Sequence, residues 1–119
     1  MKILIADDEP NIVISLEFMM KREGYEVLIA RDGTEALAMI RAEKPHLVLL
    51  DAMMPGMTGF DVCEAVRADP EVRETRIVML TAKGRESDMA RGLGAGADAY
   101  ITKPFSTRDL AAKVRDMLA

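Results

Sequence analysis

Leu47-Val48-Leu49-Leu50-Asp51 is a short continuous apolar run closed by a single acid. Apolar on both faces, it reads as a strand buried in a parallel sheet, with Asp51 at its carboxyl end. Four more such runs lie on either side. Ile3-Leu4-Ile5-Ala6 leads into Asp7-Asp8-Glu9, and Val27-Leu28-Ile29-Ala30 follows it. Ile77-Val78-Met79-Leu80 leads into Thr81-Ala82, and Ala99-Tyr100-Ile101 into Thr102-Lys103-Pro104.

Between these runs the apolar residues recur every three to four positions, the helical period. Pro10 suits a first helical position and Gly24 a helix stop, bracketing a helix with Ile12, Leu16, Met19 and Met20 on one stripe. Thr34 to Glu43, Phe60 to Arg67 and Glu86 to Leu93 read as the next three helices. The last begins at Ser106, with Asp109 as a capping-box acid and Leu110, Val114, Met117 and Leu118 inward. A chain that alternates five strands with five helices, linked by right-handed crossovers, is most simply an α/β doubly wound three-layer sandwich. Its five-stranded parallel sheet is expected in the order 2-1-3-4-5.

The 119 residues, 50% of them hydrophobic, suit one domain spanning 1–119. Size scaling gives a folded surface of roughly 6,400 Å² against roughly 19,000 Å² unfolded, enough burial for a core without staples. A single cysteine, Cys63, excludes an internal disulfide and fits a reducing compartment, so the cytoplasm is expected. Sixteen basic and twenty acidic residues give a net charge of -4, which argues against direct nucleic-acid binding. No apolar run approaches the roughly 18 residues of a membrane span.

In open α/β sheets ligands bind beyond the carboxyl ends of the strands. Strands one and three are neighbours in the expected order, which gathers Asp7, Asp8 and Asp51 into one pocket. Three carboxylates cannot stay ionised together unaided: either their pKa values rise or a hard cation sits among them, and oxygen-only donors favour Mg²⁺. Lys103 and Thr81 reach the same edge with an ammonium and a hydroxyl. Acids, cation, lysine and hydroxyl suit a phosphoryl group, with Asp51 as a covalent acceptor.

These residues carry a resemblance to response-regulator receiver domains, the phosphoacceptor half of two-component signalling, which have a flavodoxin-like fold. The chain resembles them in Asp7-Asp8; in Leu47 to Asp51 followed by Met54-Pro55-Gly56-Met57 and Gly59; in Thr81-Ala82; and in Gly96 to Tyr100 leading to Lys103-Pro104-Phe105. The resemblance implies a phosphorylation-activated switch, not an enzyme in the ordinary sense, although it assists its own phosphotransfer and autodephosphorylation. Asp51 takes the phosphoryl group from a histidine kinase or phosphotransfer protein. By the same resemblance, Mg²⁺ is expected to be held by Asp8, by Asp51, by the backbone carbonyl of Met53 and, through water, by Asp7. Lys103 and Thr81 then hold the phosphoryl group, Tyr100 swings inward, and the Lys103-Pro104 peptide is cis. Output passes through the face of helix four, strand five and helix five, to an effector or a fused domain.

Two rivals are weaker. An aspartyl-nucleophile phosphatase needs an acid two residues after the nucleophile, where this chain has Met53. A degenerate receiver acting only as a binding module is at odds with the joint presence of Asp8, Asp51, Thr81 and Lys103. Asp98-Ala99 lacks one acid of the pair that often precedes the switch tyrosine, so with Asp109 and Lys113 alone a monomer or a weak phosphorylation-dependent dimer is expected. Met53 and Lys83 occupy positions that influence phosphoryl lifetime in the family. Met53, Met54 and Met57 together suggest a shield or a partner surface. His46 reads as a loop residue at the far end of the sheet. Cys63, with no basic neighbour evident nearby, reads as core.

Overall fold

The computed structural model describes residues 1–82 and 86–119; Lys83 lies outside the described residues. The elements are β1 (Lys2–Ala6), α1 (Pro10–Arg22), β2 (Glu26–Ala30), α2 (Gly33–Glu43), β3 (Leu47–Asp51), α3 (Gly59–Ala68), β4 (Arg76–Ala82), α4 (Glu86–Ala95), β5 (Ala99–Lys103) and α5 (Thr107–Leu118). The five strands form one parallel sheet in the order β2-β1-β3-β4-β5, as the sequence predicts. Its exposed surface, 6154 Å², is close to the size-scaling value.

Strand parity divides the core into two layers. Leu4, Ala6, Val48, Leu50, Ile77 and Met79 face one side, where Ile40 of α2 and Phe60, Val62, Cys63 and Val66 of α3 cover them. Ile3, Ile5, Leu47, Leu49, Val78 and Leu80 face the other, under Leu16 and Met20 of α1 and Leu110 and Val114 of α5. The alternation follows from the two-residue period of a strand. Burying one large aliphatic side chain stabilises the fold by roughly 1.5–3 kcal/mol, so the paired layers are its main source of stability.

Several boundaries differ from the sequence reading, each for a local reason. The strands run one or two residues beyond their apolar runs, because the backbone ladder continues over Lys2, Glu26, Arg76 and Thr81. Not every strand is buried on both faces: β2 and β5, with a neighbour on one side only, leave most of their residues partly exposed. Asp32 caps α2 by accepting the Glu35 N–H at 2.8 Å, so that helix starts at Gly33. A reciprocal capping box between Thr58 and Asp61 starts α3 at Gly59. At α5 only half of the expected box forms: Ser106 is the cap and accepts the Asp109 N–H at 3.3 Å.

The end of the sheet away from the acids is tied by polar contacts within the protein. His46 accepts the Lys2 N–H on Nδ1 at 3.0 Å, and its own N–H donates to the Lys2 carbonyl at 2.8 Å. The Arg67 guanidinium donates to the carbonyls of Gly96, Arg73 and Thr75, each at 2.7 Å, and to the Asp98 carboxylate at 2.8 Å. Asp98 also accepts the Ile77 N–H at 2.8 Å. Arg67 thereby fastens α3 to the start of β4 and to the α4–β5 turn. Arg91 of α4 stacks over the Phe60 ring, 4.3 Å from its centroid.

Cys63 is fully buried in the layer beneath α3. Arg67 lies one helical turn away, a basic neighbour the sequence reading overlooked, yet burial wins and pushes the thiol up to about 11.

Candidate functional site

The site is built from the ends of β1, β3, β4 and β5. Past β1 the Asp7 N–H donates to the Ala30 carbonyl at 3.2 Å, carrying the β1–β2 ladder one residue further, and the Asp7 side chain is fully buried. Its Oδ1 accepts the Glu9 N–H at 2.9 Å, and its Oδ2 receives the Lys103 ammonium at 2.8 Å. Asp8 is exposed beside it. Asp51, at the end of β3, is 8% exposed. Its Oδ1 lies 3.4 Å from Lys103 Nζ and 3.4 Å from the Met53 N–H. One carboxylate oxygen from each of Asp7, Asp8 and Asp51 can be chosen so that all three lie within 4.8 Å of one another.

Backbone packing holds Asp51 in place. The Gly59 N–H donates to the Ala52 carbonyl at 2.9 Å, and a β-carbon at Gly59 would stand 2.3 Å from the Asp51 carbonyl oxygen. Only glycine lets α3 begin this close to the end of β3. Across the ladder Asp51 pairs with Leu80, which sets Thr81 one residue further along the same edge. Thr81 is 1% exposed, and its buried hydroxyl has no hydrogen-bond partner among the described residues. The Lys103-Pro104 peptide is cis.

The electrostatics follow from crowding. Burial, and then the neighbouring Asp7 charge, raise the Asp51 carboxyl to about 6 despite the opposing pull of Lys103. Burial alone would lower Lys103, but its hydrogen bond to Asp7 and the charges of Asp51 and Asp7 outweigh it, so its pKa is raised. One ammonium shared between two buried carboxylates, with a third acid alongside, leaves excess negative charge. Oxygen-only donors with one exposed member suit a hard divalent cation that keeps some of its water, as Mg²⁺ does.

Not every residue singled out in the sequence falls at the site. Met54 is 7% exposed and Met57 packs partly buried against the same layer, so the three loop methionines are no common shield or surface. Met53 alone of them is exposed, at 51%. Tyr100 is 37% exposed on edge strand β5. Asp98 is engaged by Arg67, so it belongs to the fold and not to a charged dimer face. The tight Lys103–Asp7 pair escaped the sequence reading, which aimed Lys103 at a phosphoryl group; 96 residues separate the two and no local signal joins them.

Residues 3–115 match the family described as the response regulator receiver domain, and the chain belongs to that family. Among solved structures, a putative response regulator from Chloroflexus aurantiacus shares 37% identity over 98% of this chain and 96% of that one, with a TM-score of 0.94. Chemotaxis protein CheY4 of Vibrio cholerae shares 33% over 98% of each chain, with a TM-score of 0.90. The receiver domain of a signal-transduction histidine kinase from Syntrophus aciditrophicus shares 32% over 98% of this chain and 89% of that one, with a TM-score of 0.91. Receiver domains are signalling domains rather than classical enzymes. They bind Mg²⁺ at an acidic pocket and work between a histidine kinase and an output. No helix among the described residues is long and apolar enough to cross a membrane.

Proposed function

We propose that residues 1–119 form a single receiver that acts in the cytoplasm as a phosphorylation switch, with Asp51 as the phosphoacceptor. The observation that carries this is the Asp51 carboxylate itself: held at a strand end, crowded by Asp7, and met by the Lys103 ammonium at 3.4 Å. An Asp51 oxygen attacks the phosphorus of a phosphohistidine, or of a small acyl phosphate, as the bond to the leaving group breaks. Lys103 pairs with the transferring oxygens, a step that draws it from Asp7, and Thr81 supplies the hydroxyl donor its buried position leaves unused. Asp8, Asp51 and the Met53 carbonyl would hold Mg²⁺ directly, and Asp7 would act on it through water. The ion, when bound, neutralises charge on the phosphoryl oxygens.

New charge on Asp51 draws Thr81 and Lys103 toward it, Tyr100 moves inward from its exposed position, and the face formed by α4, β5 and α5 changes. An effector or a fused output domain reads that face. With Asp98 engaged elsewhere, Asp109 and Lys113 supply too few ion pairs for more than weak dimerisation, since exposed pairs contribute only about 0–1 kcal/mol each. Autodephosphorylation returns the switch to rest, and the side chain at Met53 slows the attacking water. Replacing it in Met53→Asn therefore shortens the half-life of the acyl phosphate, timed by loss of the adduct.

Incubation with acetyl phosphate, with and without Mg²⁺, followed by intact mass measurement of wild type and Asp51→Asn tests the assignment. A single Mg²⁺-dependent phosphoryl adduct, absent from the variant, is expected. A folded wild type that gives no adduct from acetyl phosphate or from a phosphorylated histidine kinase favours a binding module that works without phosphorylation.

A further inference from the structure

Three methionines lie within five residues of the loop after β3, and the fold gives each a different environment. Met54 is sunk in the core and Met57 is partly buried against it, whereas Met53 is about half exposed. Residue 53 is also the one at the rim of the phosphoacceptor, its N–H donating to Asp51 Oδ1 at 3.4 Å. Thioether sulfur reacts with peroxides when they can reach it, and the sulfoxide is polar where the thioether was apolar.

We propose that Met53 is an oxidation-sensitive residue at the rim of Asp51, at which peroxide forms methionine sulfoxide and thereby shortens the life of the phosphorylated state. The inference rests on the reading of Asp51 as phosphoacceptor and adds a regulation to that site. A sulfur lone pair attacks one peroxide oxygen and the O–O bond breaks. The S–O bond forms, and the displaced hydroxide takes the remaining proton and leaves as water. Sulfur is oxidised by two electrons and the peroxide is reduced by two. The new sulfoxide oxygen accepts hydrogen bonds from water, so a hydrated polar group replaces an apolar one two residues from the carboxylate.

Two other sulfur groups bear on selectivity. Cys63 is fully buried and burial keeps its thiol protonated, so it does not compete for peroxide. Met1 is exposed, but it precedes β1 and so lies at the end of the sheet away from the acids; its oxidation serves as an internal control.

The test is a brief hydrogen peroxide treatment of the folded protein, peptide mass mapping, and then timed loss of the acetyl-phosphate adduct in Mg²⁺. Sulfoxide is expected at Met53 before Met54 or Met57. The adduct half-life is expected to fall about threefold relative to untreated protein and to recover after methionine sulfoxide reductase. In Met53→Leu the same treatment should leave the ratio of treated to untreated half-lives at one. Oxidation of Met54 or Met57 as fast as Met53 overturns the proposal. So does an unchanged half-life in oxidised wild type, or an equal loss in Met53→Leu. Absence of any adduct on untreated protein is a separate result that overturns the phosphoacceptor reading and this inference with it.

Discussion

The two ends of the sheet treat their polar groups in opposite ways. At the end bearing His46 and Arg67, ring nitrogen, guanidinium and carboxylate all meet donors or acceptors from the protein itself. At the other end two buried carboxylates share one ammonium with a third acid alongside, Asp51 is held well above the ordinary carboxylate range, and the Thr81 hydroxyl is buried without a partner among the described residues. Buried polar groups are ordinarily satisfied, so the unsatisfied end is the one whose partners arrive from outside. The difference teaches where stability and function are separated within one parallel sheet.

Substitutions at the two ends should therefore respond differently to Mg²⁺. The largest effect is expected at the satisfied end: Arg67→Ala removes four hydrogen bonds and leaves Asp98 without its cation, a loss of about 3–4 kcal/mol. Urea unfolding measures it, and the loss should be the same with and without Mg²⁺. Lys103→Met leaves the buried Asp7 charge without its ammonium, and a destabilisation of about 2–3 kcal/mol is expected in metal-free buffer. Here added Mg²⁺ should recover part of the loss. Equal behaviour of the two variants would erase the contrast.

Asp51→Asn should stabilise the metal-free protein by about 1–3 kcal/mol at pH 7. The sign follows from the raised pKa. Below the ordinary value of 3.8 the carboxyl is protonated whether the chain is folded or not. As pH rises through about 6, the folded form of wild type must ionise a buried group and loses stability that the amide keeps. The advantage of the variant should thus grow between pH 4 and pH 7 in thermal melts and vanish below that window. A gain independent of pH would mean that Asp51 is not crowded as described. The smallest effect is expected from Thr81→Val, which replaces an unpartnered buried hydroxyl by a methyl of similar shape and should stabilise the unphosphorylated protein by about 1 kcal/mol.

Much of the architecture could be read locally because each strand announces itself twice, by an apolar run and by the polar residue that ends it. Asp7, Asp51, Thr81 and Lys103 were legible as one site because strand order carries them to one edge. What escaped was long-range, a matter of exposure or, at one helix start, local. Arg67 and Asp98 are 31 residues apart, and only folding brings the end of α3 against the α4–β5 turn. The local case is the Thr58–Asp61 capping box, whose helix opens on Gly59, a weak helix former that moves the apparent start to Phe60. Met53, Met54 and Met57 share one composition, and their different burial is decided by the path of the loop past the start of α2, where the Gly33 N–H donates to the Pro55 carbonyl at 3.4 Å, a path that spacing does not encode.

The bond from Arg67 to the Gly96 carbonyl has a mechanical side. It fastens the chain one residue beyond the last turn of α4, where Gly96 carries a φ of +108°. A helix fastened at its end by hydrogen bonds, and along its length only by side-chain packing such as Arg91 over Phe60, turns about that end as a lever. Ten residues of helix span about 15 Å, so a tilt of about 10° about that fulcrum carries the first turn of α4 through about 2.6 Å while the last turn scarcely shifts. Whatever moves α4 is thus amplified with distance from Gly96, and its amino-terminal end, the first helical turn after β4, has the longest travel.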